Sequence, residues 1–183
     1  MNSVYSTQND LLLNNLLEFY NTNQNMDRML NIINGETRIS LRIIDWFATN
    51  YAKKYYTVYQ IENTDKRFKV YNDYKLKLKA YSKRRFDPFC RWDRITVPYK
   101  ETTSIQTTIG QLNFFKWAIE NHVIDYIEQN YATIEKDMNN RNSTSKARVT
   151  DNKNKTRKKR EELSVSASKS IKKETVEIIV KFD

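Results

Sequence analysis

The sequence predicts an α+β fold: a mainly helical single domain with a small antiparallel sheet over residues 1–140, then a disordered basic C-terminal arm (141–173) ending in a short terminal β-strand (174–183). Three observations predict it. Apolar residues recur at helical spacing in several segments, and two short β-branched and aromatic runs flank a turn. Large apolar residues then become scarce after Asn139 and return only in the last ten residues. A chain of 183 residues suffices for one domain with a real core. Its hydrophobic fraction is a modest 39%, but 12 Tyr, 8 Phe and 3 Trp bury a large area each.

The first helix is expected from Asp10 as N-cap, with Leu13, Leu16, Leu17 and Tyr20 on one face. A second carries Met26, Met29, Leu30 and Ile33 and stops at Gly35. In "RISLRIIDWFATNYAKK" the third places Ile44, Phe47, Ala48 and Tyr51 at i, i+3, i+4 and i+7. "YYTVYQI" and "RFKVY" read as a hairpin across "ENTDK". Asn72 to Arg85 fits two periods. As a helix it aligns Tyr71, Tyr74, Leu78 and Tyr81 against Lys75, Lys79 and Lys83; as a strand it aligns Leu76 and Leu78 against Lys75, Lys77 and Lys79. Either period yields one basic and one apolar face. In "FDPF", Asp87 is expected to cap a short helical turn with Pro88 in first position. "RITVPYK" reads as an edge strand because Pro98 cannot donate to a ladder. A long helical region begins at Thr108, with Leu112, Phe115, Ile119, Ile124, Ile127, Tyr131, Ile134 and Met138 inward and a break near Asn121 and His122. The end, "ETVEIIVKFD", alternates like a strand that docks on its own sheet or on a partner's.

Charge is segregated. The net charge is +10, yet residues 1–65 are net −2 and residues 101–143 net −3. Residues 66–100 carry 12 basic and 3 acidic groups, and residues 144–183 carry 12 and 6. Two basic blocks set against acidic ones read as surfaces for a polyanion. The first contains "YKLKLKAYSKRRFDPFCRWDR", in which rings interrupt the charges. With few aliphatics available, Tyr74, Tyr81, Phe86, Phe89 and Trp92 are assigned to the core and the cations to phosphate. The candidate nucleic-acid-binding residues are Lys75, Lys77, Lys79, Lys83, Arg84, Arg85 and Arg91, although Arg91 and Arg94 can equally form ion pairs with Asp87 and Asp93. Lys155, Arg157, Lys158, Lys159 and Arg160 of "KTRKKR" form a second set, dense enough for a phosphate-binding arm or a nuclear-import signal.

Other classes have little support. Two glycines exclude a P-loop and a dinucleotide fingerprint, and Cys90 with His122 supplies neither a zinc site nor a supported nucleophile–base pair. Glu62, Asp73 and Lys75 are similar to a D-x-K nuclease pattern on neighbouring strands, one short enough to arise by chance. A non-enzymatic protein without cofactor or metal is expected. The segment 101–143 is net acidic, wrong for a helix in a DNA groove. The start lacks a basic n-region and no apolar run approaches the ~18 residues of a membrane span, so an intracellular, soluble protein is expected.

Three stretches, "RISLRIIDWFATNYAKK" (38–54), "YKLKLKAYSKRRFDPFCR" (74–91) and "IGQLNFFKWAIENHVIDYI" (109–127), resemble segments of a poorly characterised protein family of large nucleocytoplasmic DNA viruses, and the composition suits a mimivirus-like member. The resemblance spans about residues 36–130 and brings no catalytic motif. It implies a chain made beside a very large DNA genome, in the virion and the viral factory of the host cytoplasm, with the host nucleus open to it. The function expected is sequence-nonspecific binding of double-stranded DNA in genome compaction or packaging, with self-association through the C-terminal strand. The alternatives are a scaffold that meets acidic proteins, and an RNA-binding protein.

Overall fold

The computed structural model describes residues 7–22, 24–61, 65–100, 103–150 and 173–175, with side chains as far as Arg141. Helix α1 (Gln8–Tyr20) begins at Thr7, not at Asp10. The Thr7 hydroxyl accepts from the Asp10 amide at 3.2 Å while the Asp10 carboxylate accepts from the Thr7 amide at 2.8 Å. Asp10 is therefore the reciprocal partner of a capping box whose hydroxyl lies three residues earlier. Leu16 and Tyr20 are buried, and the Tyr20 hydroxyl donates to the Leu112 carbonyl at 2.6 Å.

Helix α2 (Asn25–Ile33) buries Met26, Met29, Leu30 and Ile33 as the periodicity predicts. It ends at Gly35, whose φ of 75° is the left-handed conformation that the closing turn requires. The Gly35 amide donates to the Ile32 carbonyl and the Glu36 amide to Asn31, the paired bonds of a Schellman stop. Helix α3 (Leu41–Trp46) is capped by Ser40 and continues through a π-helical segment (Phe47–Tyr51) into α4 (Ala52–Lys54). Ile44, Phe47, Ala48 and Tyr51 are all buried, so the apolar stripe survives the π segment.

Strands β1 (Val58–Gln60) and β2 (Arg67–Lys69) form the expected antiparallel hairpin, with Tyr59 opposite Phe68. Helix α5 (Val70–Arg85) follows β2 at once, which settles the two-period segment as helical. It kinks at Ser82, where φ is 60° and ψ 168°. Residues 86–90 form a bend without a helical turn, so Asp87 does not cap a helix there; its carboxylate accepts from the Phe89 amide at 3.3 Å and is occupied by Arg91. Strand β3 (Arg94–Tyr99) is an edge strand with Pro98 in it, as expected. Its neighbour β4 (Thr103–Thr108) is not anticipated by the periodicity, because Ile105 is its only aliphatic residue and four of its six positions are Thr or Gln.

Helices α6 (Ile109–Glu120), α7 (Val123–Gln129) and α8 (Tyr131–Thr150) follow. Thr108 caps α6 through the Gln111 amide at 3.1 Å, and the expected break falls at Asn121 and His122, the latter at φ 54°. Leu112, Phe114, Phe115, Ala118, Ile124, Ile127 and Ile134 are completely buried, which makes α6 and α7 the centre of the core. Helix α8 runs ten residues past the boundary expected at residue 140. Once Ile134 and Met138 anchor its first half, extending the helix needs no new nucleation, so a polar sequence can follow. Residues 151–172, which hold most of the expected arm, lie outside the described residues. Strand β5 (Lys173–Thr175), which joins Lys173 of the expected arm to the first two residues of the expected terminal strand, pairs antiparallel with β4, giving the order β3-β4-β5; residues 176–183 lie outside the description.

Candidate nucleic-acid interface

Helix α5 is fastened on one side only. Tyr74, Leu78 and Tyr81 pack on the core, and the Trp117 indole donates to the Asp73 carboxylate at 2.7 Å. Phe86 is buried among Tyr74, Tyr81, Phe114 and Trp117, with ring centroids 5.2–6.3 Å apart. Burial holds the Tyr74 hydroxyl proton more tightly, its pKa pushed up to about 12. The rings of the basic run thus belong to the core, as expected for Tyr74, Tyr81, Phe86 and Phe89. Trp92 is the exception, at 43% exposure, because the bend before β3 carries it outside the packed cluster.

The far end of α5 is clamped by the start of α6. Asn113 Nδ2 donates to the Arg85 carbonyl at 2.9 Å, Gln111 Nε2 donates to the Pro88 carbonyl at 2.9 Å, and the Asp87 amide donates to the Gly110 carbonyl at 3.1 Å. Gly110 permits this approach. A Cβ there would lie 2.9 Å from the Arg84 carbonyl oxygen and 3.4 Å from Arg85 C and Phe86 N. The cations after the kink are consequently presented from a fixed backbone.

The predicted site residues divide by position. Lys75 and Lys79 are exposed, one turn apart on the same face, and Lys83 and Arg84 are exposed beyond them. Arg84 Nη2 donates to Asp93 Oδ2 at 2.5 Å, a bond that raises the guanidinium pKa; both side chains are largely in solvent, so the pair is worth little and is readily exchanged. Arg85 is half-buried. Lys77 is half-buried and does not join Lys75 and Lys79. Two residues along a helix turn the side chain by about 200°, whereas a strand would have aligned all three.

Arg91 is committed elsewhere. Its Nε and Nη2 donate to the two oxygens of Asp87, each at 2.7 Å, and Asp87 is 2% exposed. The hydrogen bonds to Asp87 raise the Arg91 pKa and outweigh the opposing effect of burial. Arg91 therefore neutralises a buried carboxylate, the ion-pair alternative. Lys155, Arg157, Lys158, Lys159 and Arg160 lie outside the described residues. Asp73 and Lys75 lie on a helix and not on neighbouring strands, and Glu62 lies outside the description, so the D-x-K geometry does not form. Cys90 is buried, which pushes its thiol pKa up. Among the described residues no group of three or more His, Cys, Asp or Glu gathers around a metal-sized site, and no helix is long and apolar enough to cross a membrane.

Sequence reasoning missed a second cationic cluster at the end of α4. Lys53 Nζ lies 5.6 Å from the Tyr71 ring centroid, beside the start of α5. Lys54 Nζ donates to Asp137 Oδ1 at 2.5 Å, and Tyr55 and Trp46 donate to the same carboxylate at 3.1 Å. Burial works to raise the Asp137 pKa, but these hydrogen bonds outweigh it and hold the carboxyl below 3.8. Lys54, Tyr55, Thr133, Lys136, Asp137, Asn140 and Arg141 line an open cavity of about 500 Å³. "KKYY" at residues 53–56 was the available signal, hidden because the helix containing it read as core.

A family model described as "Family of unknown function (DUF7197)" matches residues 2–183. The chain is 49% identical over 117 residues to "Uncharacterized protein L507" of Acanthamoeba polyphaga mimivirus, a match covering 60% of this chain and 45% of that protein. The chain thus spans under half the length of this curated relative. No solved structure matches. The giant-virus resemblance of the three stretches agrees with the mimivirus relative.

Proposed function

We propose that this chain, which belongs to DUF7197, is a non-enzymatic protein that binds double-stranded DNA without sequence preference, in compaction or packaging of a viral genome. The observation that carries the proposal is the exposed pair Lys75 and Lys79 on a helix whose other face is fixed in an aromatic core, with Lys83 and Arg84 exposed beyond its kink at Ser82. Phosphates are neutralised by such cations through counterion release, which needs no base contacts. Lys155, Arg157, Lys158, Lys159 and Arg160 would supply a second, linked set, and two linked weak sites gain avidity. Compaction further requires bridging, for which strand exchange at the β4–β5 pairing is the proposed route, and the proposed location is the virion and the cytoplasmic viral factory.

The test is affinity for a 30-bp duplex against salt concentration, by fluorescence anisotropy on the whole chain. Replacing Lys75, Lys79 and Lys83 by Gln should lower the slope of log K against log salt by about 2.7, at about 0.9 per phosphate contact. An unchanged slope removes α5 from the interface. One feature supports a second reading, an acidic protein partner: Leu76 is 65% exposed in a shallow groove with Asn72, Lys75, Leu78 and Lys79. Competition by polyglutamate that exceeds competition by duplex DNA would favour it.

A further inference from the structure

The end of α4 stops as α2 does, with one substitution of chemistry. The Thr57 amide donates to the Ala52 carbonyl at 3.1 Å, the long bond of a Schellman stop, as Glu36 to Asn31 does after α2. The left-handed position inside the first stop is Gly35 at φ 75°; inside the second it is Tyr56 at φ 49°. A tyrosine there carries a steric cost that glycine avoids. Its ring gains no burial in return, since Tyr56 is 85% exposed. Stability therefore does not account for the residue.

The surroundings do. Lys53 and Lys54 precede it, and the cavity lined by Lys54, Tyr55, Lys136 and Arg141 adjoins it in the chain. Among the described residues that line it, the one carboxylate, Asp137, is bonded by Lys54, Tyr55 and Trp46, so the cluster remains cationic. The Tyr55 ring is used internally, with Tyr51 at 4.5 Å between centroids and Lys54 Nζ 4.7 Å from its centroid. Tyr55 is still 51% exposed, and Tyr56, at 85%, is the more fully exposed of the two rings. Exposed π-face and flanking cations are the two components that hold an unpaired nucleotide, the ring by stacking on the base and the cations through its phosphates. A duplex offers no free base face to such a ring, and an acidic polypeptide has no use for one.

We infer that the α4–β1 corner is a binding site for single-stranded nucleic acid, with Tyr56 as the stacking platform and Lys53, Lys136 and Arg141 as phosphate contacts. It lies beside the start of α5, where Lys53 Nζ is 5.6 Å from the Tyr71 ring centroid. The site rests on chemistry separate from the duplex reading.

The experiment titrates the whole chain with labelled dT15, U15 and a 15-bp duplex, for wild type, Tyr56→Ala, Tyr56→Phe, Tyr56→Gly and the pair Lys75→Gln/Lys79→Gln. Tyr56→Ala and Tyr56→Gly should weaken dT15 or U15 binding about 5- to 150-fold, the range of one base–aromatic stack, and change duplex affinity less than twofold. Tyr56→Phe should retain the single-strand affinity, and dT15 against U15 tells which sugar the site takes. Tyr56→Gly should also raise the melting temperature, which separates loss of stacking from loss of fold. Wild type that binds duplex but neither single strand overturns this inference and leaves the duplex reading standing; binding of single strands alone does the reverse, and binding of neither overturns both. Equal loss on single strand and duplex in Tyr56→Ala, or no loss on either, also overturns it.

Discussion

Replacing Gly110 by Ala should loosen the clamp that presents the basic row. The new Cβ would sit 2.9 Å from the Arg84 carbonyl oxygen, an atom of backbone and not the end of a flexible side chain. Retreat is opposed by three bonds across the same joint, from Asn113 to Arg85, from Gln111 to Pro88 and from Asp87 to Gly110. Overpacking of this kind costs about 1–3 kcal/mol. Alanine recovers about 0.5–1 kcal/mol over glycine in a helix interior, less in the first turn where residue 110 lies. The net expectation is a loss of about 1–2 kcal/mol, equivalent to roughly 2–8 °C in Tm for a domain of this size. Urea unfolding followed by far-ultraviolet circular dichroism measures it. A variant as stable as wild type would show that α5 and α6 do not approach as closely as the structure has them, and with that the fixed presentation of Arg84 and Arg85 would be lost.

The other expectations concern charge and conformation. Arg91→Gln leaves the buried Asp87 without its guanidinium; it should cost about 3 kcal/mol, the low end for a broken buried pair because Arg91 is 39% exposed, and leave the DNA salt slope nearly unchanged. Lys77→Gln should lower that slope by less than half as much as Lys79→Gln, and equality would mean that α5 does not present its faces as described. Asp137 has a folded pKa below its ordinary 3.8, so its contribution to stability is complete above that value and is lost as pH falls through the folded pKa. Asp137→Asn should therefore flatten the stability profile below about pH 4, checked by thermal melts between pH 2 and 6. Tyr56→Gly should gain about 1 kcal/mol by relieving the left-handed backbone; a loss of stability would show that the Tyr56 side chain packs after all.

Helical periodicity located the inward faces of α1, α2, α3, α6 and α8, because an apolar stripe that must meet a core leaves the same spacing in any helix. The hairpin, the stop at Gly35, the edge position of Pro98 and the break at Asn121–His122 were legible for a related reason. Each rests on a backbone preference carried by the residues themselves. Charge segregation also needs no structure, so the basic block at 66–100 was visible as a block. Which of its cations act together was not visible, because a run alternating Lys with Leu satisfies a period of two and a period of 3.6 about equally. Packing of Tyr74, Tyr81 and Phe86 against α6 chose the helix, and that choice separated Lys77 from Lys75 and Lys79. The roles of Arg91, β4 and the far end of α8 were decided the same way, by a buried Asp87, a neighbouring strand and an anchored first half. Residue types determined what could be buried and what could be charged. Only contacts between residues distant in sequence decided which cations point to solvent together.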